Sequence, residues 1–141
     1  MLDLYAGTGA LGLEALSRGA RRAVFVERDH QALVALRRNL RELGLEERSA
    51  VVGAEVCAAL RRLASHEERF SWVFLDPPYA KETEGVLAEL SGGALLTPCA
   101  VVVLEHDRRH RPPTSVGHLF QTDRRQYGDT ELSFFRGSSG S

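Results

Sequence analysis

Four consecutive residues, Asp76-Pro77-Pro78-Tyr79, close an apolar run from Trp72 to Leu75. Two successive prolines fix φ at both positions and remove two backbone donors, which leaves carbonyls free to point into a site. Asp76 and the Pro77 carbonyl can then accept the hydrogens of an exocyclic amine. An amine held by its hydrogens aims its lone pair outward, at an electrophilic methyl. Tyr79 offers a flat face on which a splayed-out base can stack. Methyl transfer from a sulfonium is an in-line displacement, and alignment supplies much of its catalysis. A strong base is unnecessary if the proton leaves after the nitrogen has attacked. The bland alternative is a proline turn with a packed tyrosine. Its place at the end of a strand, beside a glycine loop, argues against that, because ligands of open α/β sheets bind there.

The glycine loop is Gly7, Gly9 and Gly12, spelling G-x-G-x-x-G between a short apolar run and an amphipathic one. Glu27 stands 20 residues after Gly7, at the end of the next apolar run. This is the pattern of a nucleotide-binding turn, in which glycines let backbone approach the ligand and the carboxylate accepts from ribose hydroxyls. Asp3 selects among nucleotides. A carboxylate just before the loop would repel a pyrophosphate and attract an ammonium or a sulfonium, and S-adenosylmethionine carries both. Its adenine would lie beyond the third strand, where Glu55 can accept from the amine and the Val56 amide can donate. Tyr5, Ala6 and Arg28 flank these positions, and Asp76 reaches the same place from the other side. A cap and a surface carboxylate are the alternative roles for Asp3 and Glu27.

These residues need a frame to hold them. Met1 to Tyr5, Ala23 to Glu27, Ala50 to Gly53, Trp72 to Leu75 and Ala100 to Glu105 read as strands. The run Ala23-Val24-Phe25-Val26 has no polar alternation, so it should be buried on both faces. Between the strands, Ala10 to Ser17, Gln31 to Leu43, Glu55 to Ala64 and Lys81 to Leu90 read as helices. Asp29 is an N-cap, and Gly19 and Gly44 are stops. Asp107 to Pro113 reads as a loop. Leu119 to Arg125 and Glu131 to Arg136 then form a hairpin around Gly128-Asp129. Strand–helix alternation followed by a hairpin predicts an α/β fold with a mostly parallel, seven-stranded sheet and an antiparallel edge. Residues 1–136 make one domain, and the Gly/Ser tail 137–141 is expected to be disordered.

Composition narrows the class. The chain has 141 residues and a formal net charge of −1, so bulk charge does not point to nucleic acid. Two cysteines, Cys57 and Cys99, exclude a disulfide framework and a four-cysteine zinc site. Both read as buried thiols suited to a reducing cytosol. The longest apolar run, Ala94 to Leu104, is too short to span a bilayer, and no signal peptide is visible, so a cytoplasmic protein is expected. The histidines, His106 and His110 among them, read as solvated or capping residues, with no metal set. Arg108, Arg109, Arg111, Arg124 and Arg125 form a basic cluster that can contact phosphates or simply face solvent.

The stretch from Leu2 to Ala20, the segment Phe74-Leu75-Asp76-Pro77-Pro78-Tyr79, and Tyr127-Gly128-Asp129-Thr130-Glu131-Leu132-Ser133 resemble the motifs and closing hairpin of one family. It is that of the bacterial 16S ribosomal RNA (guanine-N2) methyltransferases of the RsmD type. The resemblance runs from residue 2 to about 136. It implies a Rossmann-like class I fold, S-adenosylmethionine as cofactor, and 16S rRNA or a small-subunit assembly particle as partner. It also implies Asp76 to Tyr79 as the amine-methylating site. The sequence departs from the family at Glu55, where Asp or Asn is usual. It also opens at the first motif, where the family carries an upstream basic segment and helix. On that ground the chain is expected to fold and bind cofactor but to hold RNA weakly, with little activity and a sheet face prone to self-association. Competing readings are an amino-methyltransferase of the same fold acting on DNA adenine or protein glutamine, an NAD-dependent oxidoreductase, and a cofactor-binding fragment.

Overall fold

Strand β2, Ala23–Glu27, is buried over its first four residues. Its two faces meet different helices. Phe25 packs with Leu13 and Leu16 of helix α1 (Ala10–Ser17) and with Leu36 and Leu40 of α2 (His30–Glu42). Val24 and Val26 face the larger core, with Leu60 and Leu63 of α3 (Val56–Ser65) and Leu87 and Leu90 of α4 (Ala80–Ser91). An apolar strand without alternation is what such a three-layer arrangement requires. The computed structural model describes residues 1–137.

The remaining strands are β1 (Leu2–Leu4), β3 (Ser49–Gly53), β4 (Phe70–Leu75), β5 (Leu96–Asp107), β6 (Ser115–Val116), β7 (Leu119–Tyr127) and β8 (Thr130–Gly137). They form one sheet in the order β3-β2-β1-β4-β5-β8-β7-β6. The first five strands run parallel, and β8, β7 and β6 add antiparallel pairings. The sheet therefore has eight strands where seven are expected. The extra one, β6, is two residues long and pairs only with the start of β7, too short to carry a periodic signal. The chain winds outward from β1 to β3 and then returns to β4 on the other side of β1. The order reverses between β1 and β4, which is where a ligand cleft opens in such sheets.

Several boundaries shift. Strand β5 begins at Leu96 and runs to Asp107, because β8 pairs with it as far as Thr130. Gly137, placed in the tail by sequence, pairs with Leu119; the rest of the tail lies outside the described residues. Glu55 is not in α3 but caps it. Cys99 is exposed and Cys57 half-buried, so neither is the buried thiol expected. One row of the sheet aligns Trp72, Val101, Arg136 and Phe120. Trp72 is 52% exposed and Phe120 45%, so that row is open. Among the described residues, no helix is long and apolar enough to cross a membrane.

Gly12 sets how closely α1 approaches the sheet. A Cβ there would lie 2.2 Å from Cε1 and 2.7 Å from Cζ of Phe25, whose ring is fully buried and cannot retreat. Gly12→Ala is therefore expected to lower stability by about 1–3 kcal/mol. Gly85, inside α4, has nothing within 4 Å of the same position. Gly85→Ala should raise stability by about 0.5–1 kcal/mol. Urea unfolding of both variants checks the contrast.

Candidate functional site

The loop leaving β1 turns sharply. Tyr5 has φ 60°, Gly7 60° and Gly9 89°. Left-handed backbone is easy for glycine and costly for tyrosine, so Tyr5 is a strained position held by its surroundings. Its hydroxyl donates to Oε2 of Glu82, on the first turn of α4, at 3.0 Å. Burial, then Glu82, pushes the phenol well above its ordinary value. The Gly7 amide donates to Oε1 of Glu27 at 2.8 Å. Oε2 of Glu27 accepts from the Arg28 and Asp29 amides, each at 2.9 Å.

Two cavities meet at the sheet's reversal. The larger, about 420 Å³, is lined by Tyr5, Glu27, Arg28, Glu55, Val56, Asp76 and Pro78, with Val26, Ala54 and Glu82. The smaller, about 240 Å³, is lined by Asp76, Pro77, Pro78, Thr83, Glu105, His106, Asp107 and His110, with Ala80 and Thr130. Asp76 and Pro78 belong to both. Tyr79 is the N-cap residue of α4; it lines neither cavity and is 60% exposed. Among the described residues, no cluster is suited to holding a metal ion.

Most of the expected cofactor residues thus converge, but four of them, Asp3, Ala6, Gly7 and Gly9, do not line the cavity, and Glu55 also caps α3. Asp3 does not line the cavity. It is 2% exposed, and its Oδ2 accepts from the Gly12 amide at 3.2 Å. It faces the start of α1 behind the loop, where a carboxylate complements unsatisfied amides. Gly7 and Gly9 shape the loop without lining the cavity, and Ala6 donates its amide to the Val26 carbonyl at 3.0 Å. Glu55 lines the cavity and also accepts from the Cys57 and Ala58 amides, at 3.1 and 2.9 Å. Those bonds hold its carboxyl below the ordinary range.

The arginine cluster is not a free basic patch. Arg108 pairs with Asp129 at 3.3 Å, Arg109 with Asp107 at 2.9 Å, and Arg125 with Asp123 at 3.3 Å. Arg111 and Arg124 share buried Glu131 at 3.0 and 3.8 Å. His106 is neither solvated nor a cap. Its ring is 6% exposed, with Nε2 2.7 Å from Ser133 Oγ and Nδ1 2.9 Å from the Asp107 carbonyl. Sequence reasoning also missed Glu82 and Glu105. Glu105 had a signal, as the polar end of an apolar strand beside Asp76; Glu82 had none, since only the Tyr5 turn brings it near.

Comparison with known proteins places the chain. The family model described as Conserved hypothetical protein 95 matches residues 1–136. The chain belongs to that family. It is 37% identical over 136 residues to the Bacillus subtilis (strain 168) protein named "Putative rRNA methyltransferase YlbH", covering 96% of this chain and 74% of that one. It is 32% identical over 108 residues to the Haemophilus influenzae protein named "Ribosomal RNA small subunit methyltransferase D", covering 76% of this chain and 56% of that one. Among solved structures, a conserved hypothetical protein of Streptococcus pyogenes superposes with a TM-score of 0.88 at 33% identity. That match covers 99% of this chain and 86% of that one. The family fold is the Rossmann-like α/β sheet with an antiparallel edge. The chain spans a little over half the length of the Haemophilus relative.

Asp3 generates a test of the loop. Burial raises its pKa from 3.8 to about 7, opposed by the Gly12 amide and reinforced by the charges of Glu27 and Asp76. The folded state holds this proton more tightly than the unfolded chain does. Its contribution is therefore greatest below about pH 4 and is lost as pH rises to about 7. Asp3→Asn should remove that fall. Urea unfolding at acid and neutral pH should show a smaller loss of stability in the variant than in the parent.

Proposed function

We propose that the chain transfers a methyl group from S-adenosylmethionine to the exocyclic N2 amine of a guanine in 16S ribosomal RNA, free or in a small-subunit particle. The observation that carries the reading is the position of Asp76 and Pro78, in the wall between two cavities, where a donor on one side can face an acceptor on the other. The names of the Bacillus and Haemophilus relatives support an rRNA substrate.

The larger cavity suits the cofactor on two counts. Its volume falls within the ~300–1,000 Å³ of small-molecule sites. Its lining joins apolar Val26, Ala54 and Val56, for a base, to Glu27, whose Oε1 accepts only the Gly7 amide and keeps one lone pair for a ribose hydroxyl. Glu55 keeps acceptor capacity for the adenine amine in the same way. Bound there, S-adenosylmethionine supplies an electrophilic methyl on a sulfonium. Asp76 and the Pro77 carbonyl hold the hydrogens of the incoming amine, which turns its lone pair toward the larger cavity. Tyr79, exposed between Pro78 and Ala80 of the smaller cavity's lining, offers its ring for stacking on the base. Asp76 receives the proton that the methylated nitrogen releases.

The test is tritiated methyl incorporation into 16S rRNA and small-subunit particles, with duplex DNA and peptide as competing acceptors. Asp76→Ala should abolish transfer while leaving cofactor affinity within a few-fold. Glu27→Ala should weaken S-adenosylhomocysteine binding by about 1.5–3 kcal/mol in titration calorimetry. Tyr79→Ala should lose about 1–3 kcal/mol of acceptor affinity, and Tyr79→Phe little, since only the ring is used. Undiminished transfer by Asp76→Ala overturns the proposal.

A further inference from the structure

The smaller cavity contains a carboxyl with no role so far. Leu104 of β5 pairs with Leu75 of β4 in parallel register. Asp76 and Glu105 each follow by one residue, so they stand side by side on one sheet face, Asp76 just past the end of β4 and Glu105 two residues before the end of β5. Both line the smaller cavity, and Asp76 alone of the two lines the larger one. Burial, followed by the charge and hydrogen bond of Asp76, pushes the Glu105 carboxyl above its ordinary range. Two like charges this close are unfavourable unless donors come between them.

The other groups around this cavity are already engaged or uncharged. Asp107 accepts from Nε and Nη2 of Arg109 at 2.9 and 3.0 Å. His106 is tied to Ser133 and a carbonyl. His110 stands at the rim, α4 presents Thr83, and β8 places Leu132 opposite Glu105. Among the described residues, neither Asp76 nor Glu105 has a cationic partner in an ion pair. The pair is a double acceptor whose inner member faces both cavities and whose outer member faces only one.

A reacting amine has to meet the inner member, Asp76. The atom next to that amine then meets Glu105. In guanine the neighbour on the edge shared with the ring carbonyl is N1–H, a donor, and the neighbour on the other side, N3, is bare; the edge taken here is the N1 edge. In adenine the neighbour is a bare ring nitrogen, an acceptor. We propose that Glu105 is a specificity-determining residue that accepts the ring N1–H beside the reacting amine, so that the site selects a guanine edge over an adenine edge. The inference rests on the amine-methyltransferase reading above and deepens it. A bare nitrogen against the Glu105 carboxylate would set lone pair against lone pair, and a site built around an N–H rejects the analogue that lacks it. Two N–H groups entering between the carboxyls also favour their charged forms, so guanine binding expels any proton that Glu105 holds.

The decisive probe is the ribonucleotide of 2-aminopurine. It keeps the amine of guanine at the same carbon but has a bare N1. Binding of guanosine monophosphate and of this analogue to the full chain, with S-adenosylhomocysteine present, can be followed by NMR shifts of the Tyr79 and Ala80 amides. The parent should bind the guanine nucleotide at least about tenfold more tightly. Glu105→Gln, whose amide can donate to a bare nitrogen, should bring the two within about twofold or reverse them. Its affinity for S-adenosylhomocysteine should not change, because residue 105 does not line that cavity. The parent comparison needs no variant to fold. A parent that binds both nucleotides alike, or neither, overturns the proposal, as does a Glu105→Gln protein that keeps the preference. A parent that prefers the guanine nucleotide but transfers no methyl to 16S rRNA overturns the activity proposed above and leaves this inference standing.

Discussion

Three backbone amides converge on the Glu27 carboxylate, from Gly7 at 2.8 Å and from Arg28 and Asp29 at 2.9 Å. One of them belongs to the loop after β1 and the other two to the turn after β2. The carboxylate therefore ties the two strand ends together across the sheet. Hydrogen bonds to a charged group contribute about 1.5–3 kcal/mol each, comparable to the ~1–3 kcal/mol cost of a non-glycine residue in left-handed backbone. Tyr5 can stay at φ 60° because of this clasp and because its hydroxyl is anchored on Glu82. The wall of the larger cavity follows from that turn.

Around this clasp the site is acidic. Asp3 lies beneath the loop after β1; Glu27, Asp76 and Glu105 line the two cavities, and among the described residues Arg28 is the one basic side chain lining the larger cavity. Each carboxyl has a different neighbour. Asp3 is buried against an amide, Glu27 is clasped by three, and Asp76 and Glu105 face each other. A pyrophosphate entering here would meet mostly negative charge, whereas a sulfonium, an ammonium or a row of N–H donors would meet acceptors. This charge pattern separates the cleft from that of a dinucleotide-binding turn with the same glycine spacing.

Much of this was legible in the sequence, wherever the signal is local. An unbroken apolar run announced β2, Asp29 announced the start of α2, and Gly128-Asp129 announced the last hairpin; all three lie where expected. The larger cavity's Glu27, Glu55 and Asp76 were found because strand ends and glycine spacing are short-range patterns. What was missed depends on pairing between distant segments. The side-by-side placement of Asp76 and Glu105 follows from the β4–β5 register, 29 residues apart in sequence. Asp3 was expected to face the ligand because it precedes the loop. It shares its sheet face with Phe25, Glu27 and Asp76, but it lies two residues short of the cavity, beneath the loop, where the Gly12 amide of α1 donates to its carboxyl.

The same register logic explains why a run of arginines is not a basic surface. Strand β8 lies between β5 and β7, so Glu131 sits opposite His106 on one side and Gln126 on the other, with Arg111 and Arg124 reaching it. Five arginines at this edge meet four carboxylates, Asp107, Asp123, Asp129 and Glu131, which leaves a local formal charge of +1. Arg125 also lies 5.9 Å from the centroid of the Phe134 ring, which occupies its guanidinium face. A phosphate arriving here has to displace carboxylates already in place. Each such exchange returns far less than neutralising a phosphate with a free cation. On the function proposed above, contacts to the base through Asp76, Glu105 and the exposed ring of Tyr79 are accordingly the larger share of what this part of the molecule can offer a nucleic acid.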